Sequence, residues 1–181
     1  MDIIYALLII LIIACLVLIC YVYYYNKLQD CKLKIDEAES IVDESLREKY
    51  DLIVNIQNLI ASNINDNKIN FKGLDELKNE SISNFDLDRK LNEYKTLIIK
   101  INDDYSELDK NKEFKDYFNQ IKRADEKISA AKKFYNTYIT ISNELVRKIP
   151  SNIIARINKI EIKTFFDGKD MNDNDFNDFK L

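Results

Sequence analysis

The chain begins with a long run of apolar residues. Residues 3–25 contain no charged side chain, and residues 3–20 are almost entirely Ile, Leu, Ala, Val and Cys. A helix rises about 1.5 Å per residue, so about 20 such residues cross the hydrocarbon core of a bilayer. The pattern therefore predicts one transmembrane helix at residues 1–25. Residues suited to the membrane interface follow the apolar core, because amphipathic rings prefer the headgroup level: Tyr21, Tyr23, Tyr24, Tyr25 and Lys27.

Three alternatives explain this run less well. A cleaved signal peptide has a basic start and a shorter apolar core, whereas Asp2 precedes the core here. In a lipoprotein the lipid-bearing cysteine is followed by a polar linker, but the apolar run continues beyond Cys15 to Cys20. A buried helix of a soluble protein contains fewer uncharged apolar residues in succession. We therefore expect a membrane anchor.

Beyond the anchor, apolar residues recur every three or four positions, which is the period of one helix face. Three such stripes follow one another, at residues 28–64, 87–108 and 114–149. Pro150 ends the third, and a short fourth helix follows it. Short connections make successive helices antiparallel neighbours. We predict an all-α fold in which a single N-terminal transmembrane helix is followed by an antiparallel up-down bundle of three to four helices.

This fold divides the chain into an anchor at 1–25, a helical bundle domain at 26–166 and an acidic, flexible tail at 167–181. Ser83 and Asn111 are predicted helix caps, and we expect one core to contain the stripe residues Leu46, Ile98 and Ile128. In an up-down bundle the second helix returns to the membrane. That geometry would bring a lysine-rich turn to the bilayer, Lys110, Lys112 and Lys115, and would place Pro150 at the membrane-distal end.

Composition narrows the classes of function. The chain of 181 residues has 2 Gly, 1 Pro and no His, and its net charge is −4. Scarce turn residues favour long helices, and a mildly acidic chain gives no reason to expect nucleic acid as a partner. Of the three cysteines only Cys31 lies outside the anchor, so we expect no metal site, cofactor or catalytic residue.

The acidic tail contains a spacing similar to that of a calcium loop. Asp170, Asn172 and Asn174 alternate as such ligands do. Asp175, however, occupies the position that requires Gly, and Leu181 the position of the bidentate Glu. We therefore do not predict a calcium site.

Charge bias indicates the orientation of the anchor. No Lys or Arg precedes the apolar run, while Lys27, Lys32 and Lys34 follow it. Cytoplasmic flanks carry the excess of basic residues. We expect a single-pass protein of the cell membrane with its N-terminus outside and its bundle in the cytoplasm.

Two pairs of polar residues are candidates for interaction. Asp51 and Asn55 lie one turn apart on the first bundle helix, and Tyr135 and Asn136 lie on the third. Each pair has a structural alternative: a polar contact with a facing helix, or a core tyrosine whose hydroxyl is satisfied at the edge. A basic patch surrounds Pro150, and in an up-down bundle the acidic tail is its closer partner: Arg147, Lys148, Arg156, Lys159 and Lys163.

Several short strings resemble, in order, those of the LemA family of bacterial membrane-anchored proteins. They are Tyr25-Asn26, Ile35-Asp36-Glu37-Ala38, Asp51-Leu52-Ile53, Phe134-Tyr135-Asn136, Asn152-Ile153-Ile154-Ala155 and Phe165-Phe166. The family usually has two basic residues before its Asp-Leu-Ile, where this chain has Arg47-Glu48-Lys49-Tyr50, and a proline where it has Val54. The resemblance implies a membrane helix and a helical bundle, and it implies no enzymatic activity.

These observations predict a non-enzymatic scaffold or adaptor at the cytoplasmic membrane. Its partners would be the lipid bilayer and other membrane or cytoplasmic proteins. A homo-oligomer is a further option, since heptad spacing also suits a homotypic coiled coil. The alternative is a ligand receptor or enzyme with a site in the bundle core, which a deep pocket with convergent polar groups would favour.

Overall fold

The computed structural model describes residues 2–64, 71–78, 82–105 and 107–166, which are mostly helical, with no strand among them. The predicted tail at 167–181, with its calcium-like spacing, lies outside these residues. The helices are α1 (Asp2–Asn63), α2 (Asn84–Asp104), α3 (Lys112–Arg147) and α4 (Ser151–Ile157), with short 3-10 helices at Asp75–Lys78 and Leu108–Lys110. The chain forms two compact units: unit 1 comprises Met1–Glu37 and Phe134–Leu181, and unit 2 comprises Ala38–Lys133.

The apolar run forms the first part of α1, a continuous helix of 62 residues. By length and composition this part can cross a membrane, with a mean hydropathy of 3.4 and none of its most apolar stretch buried by protein. Its large apolar side chains are exposed, from 49% at Leu8 to 77% at Ile3, and Cys20 at its end is half-buried. Such a surface suits hydrocarbon, because a helix satisfies its own backbone polar groups and can present apolar side chains all round. It is a candidate membrane span, as predicted.

In unit 2, α2 runs parallel to α1. Lys49 of α1 contacts Asp88 and Asn92 of α2, and Arg47, one half-turn earlier, lines a cleft with Leu87. Residue numbers on the two helices therefore rise together. The all-α bundle is confirmed, but the second helix does not return alongside the first as the up-down order required.

The third helix is antiparallel to the second. Lys95 of α2 pairs with Asp125 of α3, and Asp88, two turns earlier on α2, pairs with Lys132, two turns later on α3. In unit 2, α1 and α2 are therefore parallel to each other, and α3 is antiparallel to both. The tight turn between α2 and α3 permits this pairing.

The return along α1 includes the segment at 71–78, which consists of a turn followed by a short 3-10 helix. Phe71 stacks on Tyr94, and the Tyr94 hydroxyl donates to the Lys72 carbonyl at 2.8 Å. Gly73 has a φ of 87°, and a Cβ there would lie 3.4 Å from the Tyr94 hydroxyl oxygen. Glycine adopts this left-handed conformation without steric cost. The segment carries the chain back along α1 to the start of α2.

The direction of α2 corrects the geometry expected for the lysine-rich turn. The turn with Lys110, Lys112 and Lys115 follows the end of α2, and within unit 2 α2 runs in the same direction as α1. The second helix therefore does not make the antiparallel return from which we expected these lysines to face the bilayer. Helical periodicity alone does not determine whether a helix or an irregular segment carries the chain back along α1.

Both predicted helix caps are present. The Ser83 hydroxyl accepts the Asp86 backbone N–H at 3.1 Å, and the Asn111 side chain accepts the N–H groups of Glu113 and Phe114 at 2.9 and 3.2 Å. These bonds satisfy amide groups that a helix start leaves without partners. Three predicted core residues of unit 2 are also buried: Leu46, Ile98 and Ile128.

In unit 1, the end of α3 and the whole of α4 pack on α1 just beyond the apolar run. Their shared core consists of Leu28, Cys31, Leu145, Ile154 and Ala155, flanked by Tyr21, Tyr24 and Tyr25. Pro150, between α3 and α4, therefore lies near the end of the candidate span, and the expectation that it is membrane-distal is wrong. Ile149, predicted as the last residue of the third stripe, is 81% exposed because α3 ends at Arg147.

Candidate functional site

Five charged side chains form a connected cluster in unit 2, here called the ion cluster: Lys49, Asp88, Lys95, Asp125 and Lys132. At its centre Lys49 is 0% exposed. Its ammonium lies 2.6 Å from an Asp125 carboxylate oxygen and 3.7 Å from one of Asp88. It also donates to the Asn92 side-chain oxygen at 2.7 Å. A buried ammonium requires such partners, because leaving water without them is very costly.

Each carboxylate of the ion cluster joins Lys49 to an outer lysine. Lys95 lies 2.5 Å from the second oxygen of Asp125, and Lys132 lies 2.5 Å from the second oxygen of Asp88. The outer lysine side chains are about one quarter exposed, at 27% and 25%. The cluster is thus a chain of alternating charges that joins α1, α2 and α3 and reaches solvent at both ends.

The helical spacing of the core places Lys49 inside. It lies three residues after Leu46 and four before Ile53, both fully buried, so it occupies an inward position of α1. The predicted stripe at residues 28–64 was defined by apolar residues, so it did not include Lys49, and Tyr50, the residue after it, is only half-buried. Asp88 was missed for the same reason, since it precedes buried Leu91 by three residues. The sequence signal that could have identified the ion cluster was a lysine at the spacing of the core residues.

Electrostatics keep the Asp125 carboxyl of the ion cluster charged. Burial by itself would raise the pKa of Asp125, but hydrogen bonds and charges from Lys49 and Lys95 outweigh it and leave the pKa of that carboxyl lowered. Asp125 is therefore an anion at neutral pH, and Lys49 is enclosed by its partners. An ammonium held in this way is neither a free nucleophile nor an available base. The arrangement links three helices.

The predicted pair Asp51 and Asn55 lies on the outer face of α1, and both side chains are exposed. Asp51 lines a surface cleft of about 520 Å³ with Arg47 and Tyr50. Burial raises the pKa of the Tyr50 hydroxyl, and the charges of Asp75 and Asp51 add to this effect. Asp51 is thus on the rim of a cleft, while Asn55 lies one turn further along the helix.

In unit 1, asparagine side chains of α3 hold residues 161–166, which are not helical and are here called the strap. The Asn143 amide donates to the Lys163 carbonyl at 2.8 Å, and its oxygen accepts the Lys163 N–H at 2.9 Å. Asn136, two turns earlier, accepts the Phe166 N–H at 2.9 Å. These bonds replace the backbone partners that a strand would otherwise need.

Tyr135 lies at the same strap. Its hydroxyl donates to the Thr164 carbonyl at 3.4 Å, and its ring meets the Phe166 ring edge-on at 6.2 Å. Tyr135 and Asn136 therefore contact this chain's own C-terminal segment. Sequence reasoning selected this pair but missed Asn143, which is 0% exposed. The sequence signal that could have identified Asn143 was a polar residue at the spacing of the core, seven positions after Asn136.

Of the residues predicted for the membrane interface, some pack against protein and others are exposed. The Tyr21 hydroxyl hydrogen-bonds the Asn158 side chain, with 3.3 Å between the oxygen and the amide nitrogen. Tyr21 also stacks on Tyr25 at 6.0 Å. Tyr24 is half-buried, whereas Tyr23 is 58% exposed and Lys27 is exposed. The inner tyrosines thus attach α4 to the first turns of α1 beyond the apolar run.

Comparison with known proteins gives one family. The family model of the LemA family matches residues 38–177, which is most of the chain. None of the curated proteins matches the chain, and none of the solved structures does. The matched stretch contains the ion cluster and the strap. It starts later than the resembling strings at Tyr25-Asn26 and Ile35, and it extends beyond Phe166.

Replacing Lys49 by Met tests the ion cluster. Methionine fills a similar volume but leaves Asp88 and Asp125 without their shared cation, so we expect K49M to lower the free energy of unfolding by about 3 kcal/mol. The measurement is denaturant unfolding of the full-length protein in detergent, followed by circular dichroism. The matched control is K127M, which breaks the exposed Lys127–Glu48 pair of 3.2 Å and should cost less than about 1 kcal/mol. If K49M and K127M lowered the free energy of unfolding equally, a special role for Lys49 would be contradicted.

Replacing Asn143 by Ala tests the strap. The change removes both hydrogen bonds to the Lys163 backbone, so the strap should open more often and trypsin should cleave after Lys163 roughly tenfold faster. Cleavage after exposed Lys122, in unit 2, serves as the internal reference for general unfolding. N119A, which alters an exposed asparagine of the same helix, is the control variant. If both sites accelerated together, Asn143 would have no specific effect on the strap.

Proposed function

Because the chain belongs to the LemA family, we propose that it is a membrane-anchored, non-enzymatic scaffold or adaptor that presents a helical bundle to protein partners. The proposal rests on one observation in the interior of unit 2, the complete burial of Lys49. Its fully buried cation is satisfied by Asp88, Asp125 and Asn92 rather than directed into a cavity. Side chains paired in this way stabilise a surface for binding rather than act as acids, bases or nucleophiles.

The membrane supplies the second part of the proposal. The exposed apolar part of α1 suits hydrocarbon, and basic residues follow it but do not precede it. The positive-inside tendency favours a cytoplasmic bundle. Partners would then be cytoplasmic proteins or the cytoplasmic parts of membrane proteins.

A second candidate is a small-ligand receptor at the cleft beside Asp51. The cleft volume of about 520 Å³ falls within the range of ligand sites, about 300–1,000 Å³. Its α1 wall contains Asp43, Arg47 and Asp51, however, and such sites are mostly apolar. We therefore rank this candidate below the scaffold.

Orientation is tested with a thiol reagent that does not cross membranes. Native Cys31 is 2% exposed and burial raises the pKa of its thiol, so it is a poor reporter. Leu33 is 67% exposed, and L33C in a variant with the native cysteines changed to Ala places an accessible thiol next to the span. We expect labelling only after the cells are permeabilised. Labelling of intact cells would contradict the cytoplasmic orientation.

The scaffold role is tested by photo-crosslinking in native membranes. A photoreactive residue at Ile41, Asp51 or Ile99, each exposed on unit 2, should capture a reproducible set of proteins identified by mass spectrometry. The same residue at Leu11, within the apolar run, is the control and should capture lipid and neighbouring membrane helices. Recovery of one small metabolite from the Asp51 site, with no protein captured at any site on unit 2, would favour the receptor instead.

A further inference from the structure

The corner between α3 and α4 exposes a ridge of large apolar side chains. Its members are Ile149 at 81%, Ile153 at 57%, Ile157 at 64% and Ile162 at 42% exposure. Ile153 and Ile157 lie one turn apart on α4, opposite buried Ile154 and Ala155. Soluble surfaces seldom present large contiguous apolar patches unless something covers them.

Beside this ridge lies a basic cleft of about 750 Å³. Arg147, Arg156 and Lys159 supply three positive charges to its wall, and Glu161 supplies one negative charge. Among the residues that the structure describes, none of the three cations forms an ion pair. Val146, Ile160 and Ile162 add apolar surface to the lining, and Asn152 adds a polar amide. The cleft therefore combines a net positive charge with apolar surface, as a phospholipid headgroup site does.

The position of the corner identifies its occupant. The apolar run ends at Cys20, and the next residue, Tyr21, hydrogen-bonds Asn158 just beyond α4. Tyr21 also packs against the core that contains Ile154 and Ala155. Interface tyrosines mark the headgroup level, so α4 lies at that level when the span crosses the membrane. The ridge and the basic cleft are then continuous with a bilayer that α1 already enters.

We propose that the α3–α4 corner is a second membrane contact, in which the isoleucine ridge enters the boundary between headgroups and acyl chains and the basic cleft binds the phosphate groups of anionic phospholipids. The inference rests on the membrane anchoring in the proposed function and goes beyond it. Basic residues near an anionic surface each strengthen binding by about fivefold, and salt weakens the effect. Three such residues would favour the bound corner by about a hundredfold.

The absence of tryptophan from the chain allows a direct test. I153W provides one fluorophore on the ridge of the full-length protein, reconstituted at one chain per nanodisc. Lipids brominated near the top of the acyl chains quench a fluorophore at that depth. We expect quenching of I153W in discs that contain phosphatidylglycerol, and at least twofold less in pure phosphatidylcholine or at high salt.

Charge variants in the I153W background separate the basic cleft from general basicity. R147Q/R156Q/K159Q removes three charges from the cleft and should reduce quenching to the phosphatidylcholine level. K110Q/K112Q/K115Q removes three charges from the turn before α3 and should leave quenching unchanged. If the two triple variants had equal effects, the assignment of the cleft to anionic lipid would be overturned.

Two further positions distinguish the possible failures. L11W, within the apolar run, should be quenched by deeply brominated lipid whenever the span is inserted, so its failure would contradict the anchor itself. I41W, an exposed isoleucine about 30 Å along α1 from Cys20, should not be quenched. Quenching of I153W no greater than that of I41W would overturn the second contact, as would a blue-shifted but unquenched I153W, which indicates cover by protein.

Discussion

A charge that is completely removed from water must find its partners inside the protein, and Lys49 imposes this condition on unit 2. Its ammonium requires carboxylates from both neighbouring helices at one level of α1. The two aspartates in turn hold Lys95 and Lys132. Apolar stripes can slide past one another at modest cost, whereas a buried ion pair restricts register. The ion cluster therefore specifies which faces of α1, α2 and α3 meet, a role attested for buried polar groups in other helical assemblies.

Periodicity predicted the helices and most of the core because burial and the helical repeat are both local properties. Leu46, Ile98 and Ile128 could be placed inside from their spacing alone, and Ser83 and Asn111 could be assigned as caps from their chemistry. The direction of α2 could not be predicted. It depends on the segment around Gly73, whose path is set by contacts with Tyr94 far along the chain.

Prediction of the candidate sites from the sequence was limited in a related way. Polar residues at core spacing, Lys49, Asp88 and Asn143, were passed over because a hydrophobicity pattern treats them as surface. Each is buried and bonded. Tyr135 and Asn136 were selected as candidates for interaction, and the structure shows that both contact the strap of the same chain. Family membership rests on the matched stretch of the chain and assigns none of these roles.

The continuity of α1 from Asp2 to Asn63 has a consequence for how the chain can change in length. A helix without a break fixes the rotational phase of every face it carries. One residue inserted between Tyr21 and Cys31 would turn one side chain by about 100° relative to the other. The tyrosine that hydrogen-bonds Asn158 and the cysteine that shares a core with Leu145 and Ile154 could not both keep their partners. Length variation along this stretch is therefore restricted to near-whole numbers of turns, such as seven or eleven residues, and a relative with a single-residue insertion there would contradict this restriction.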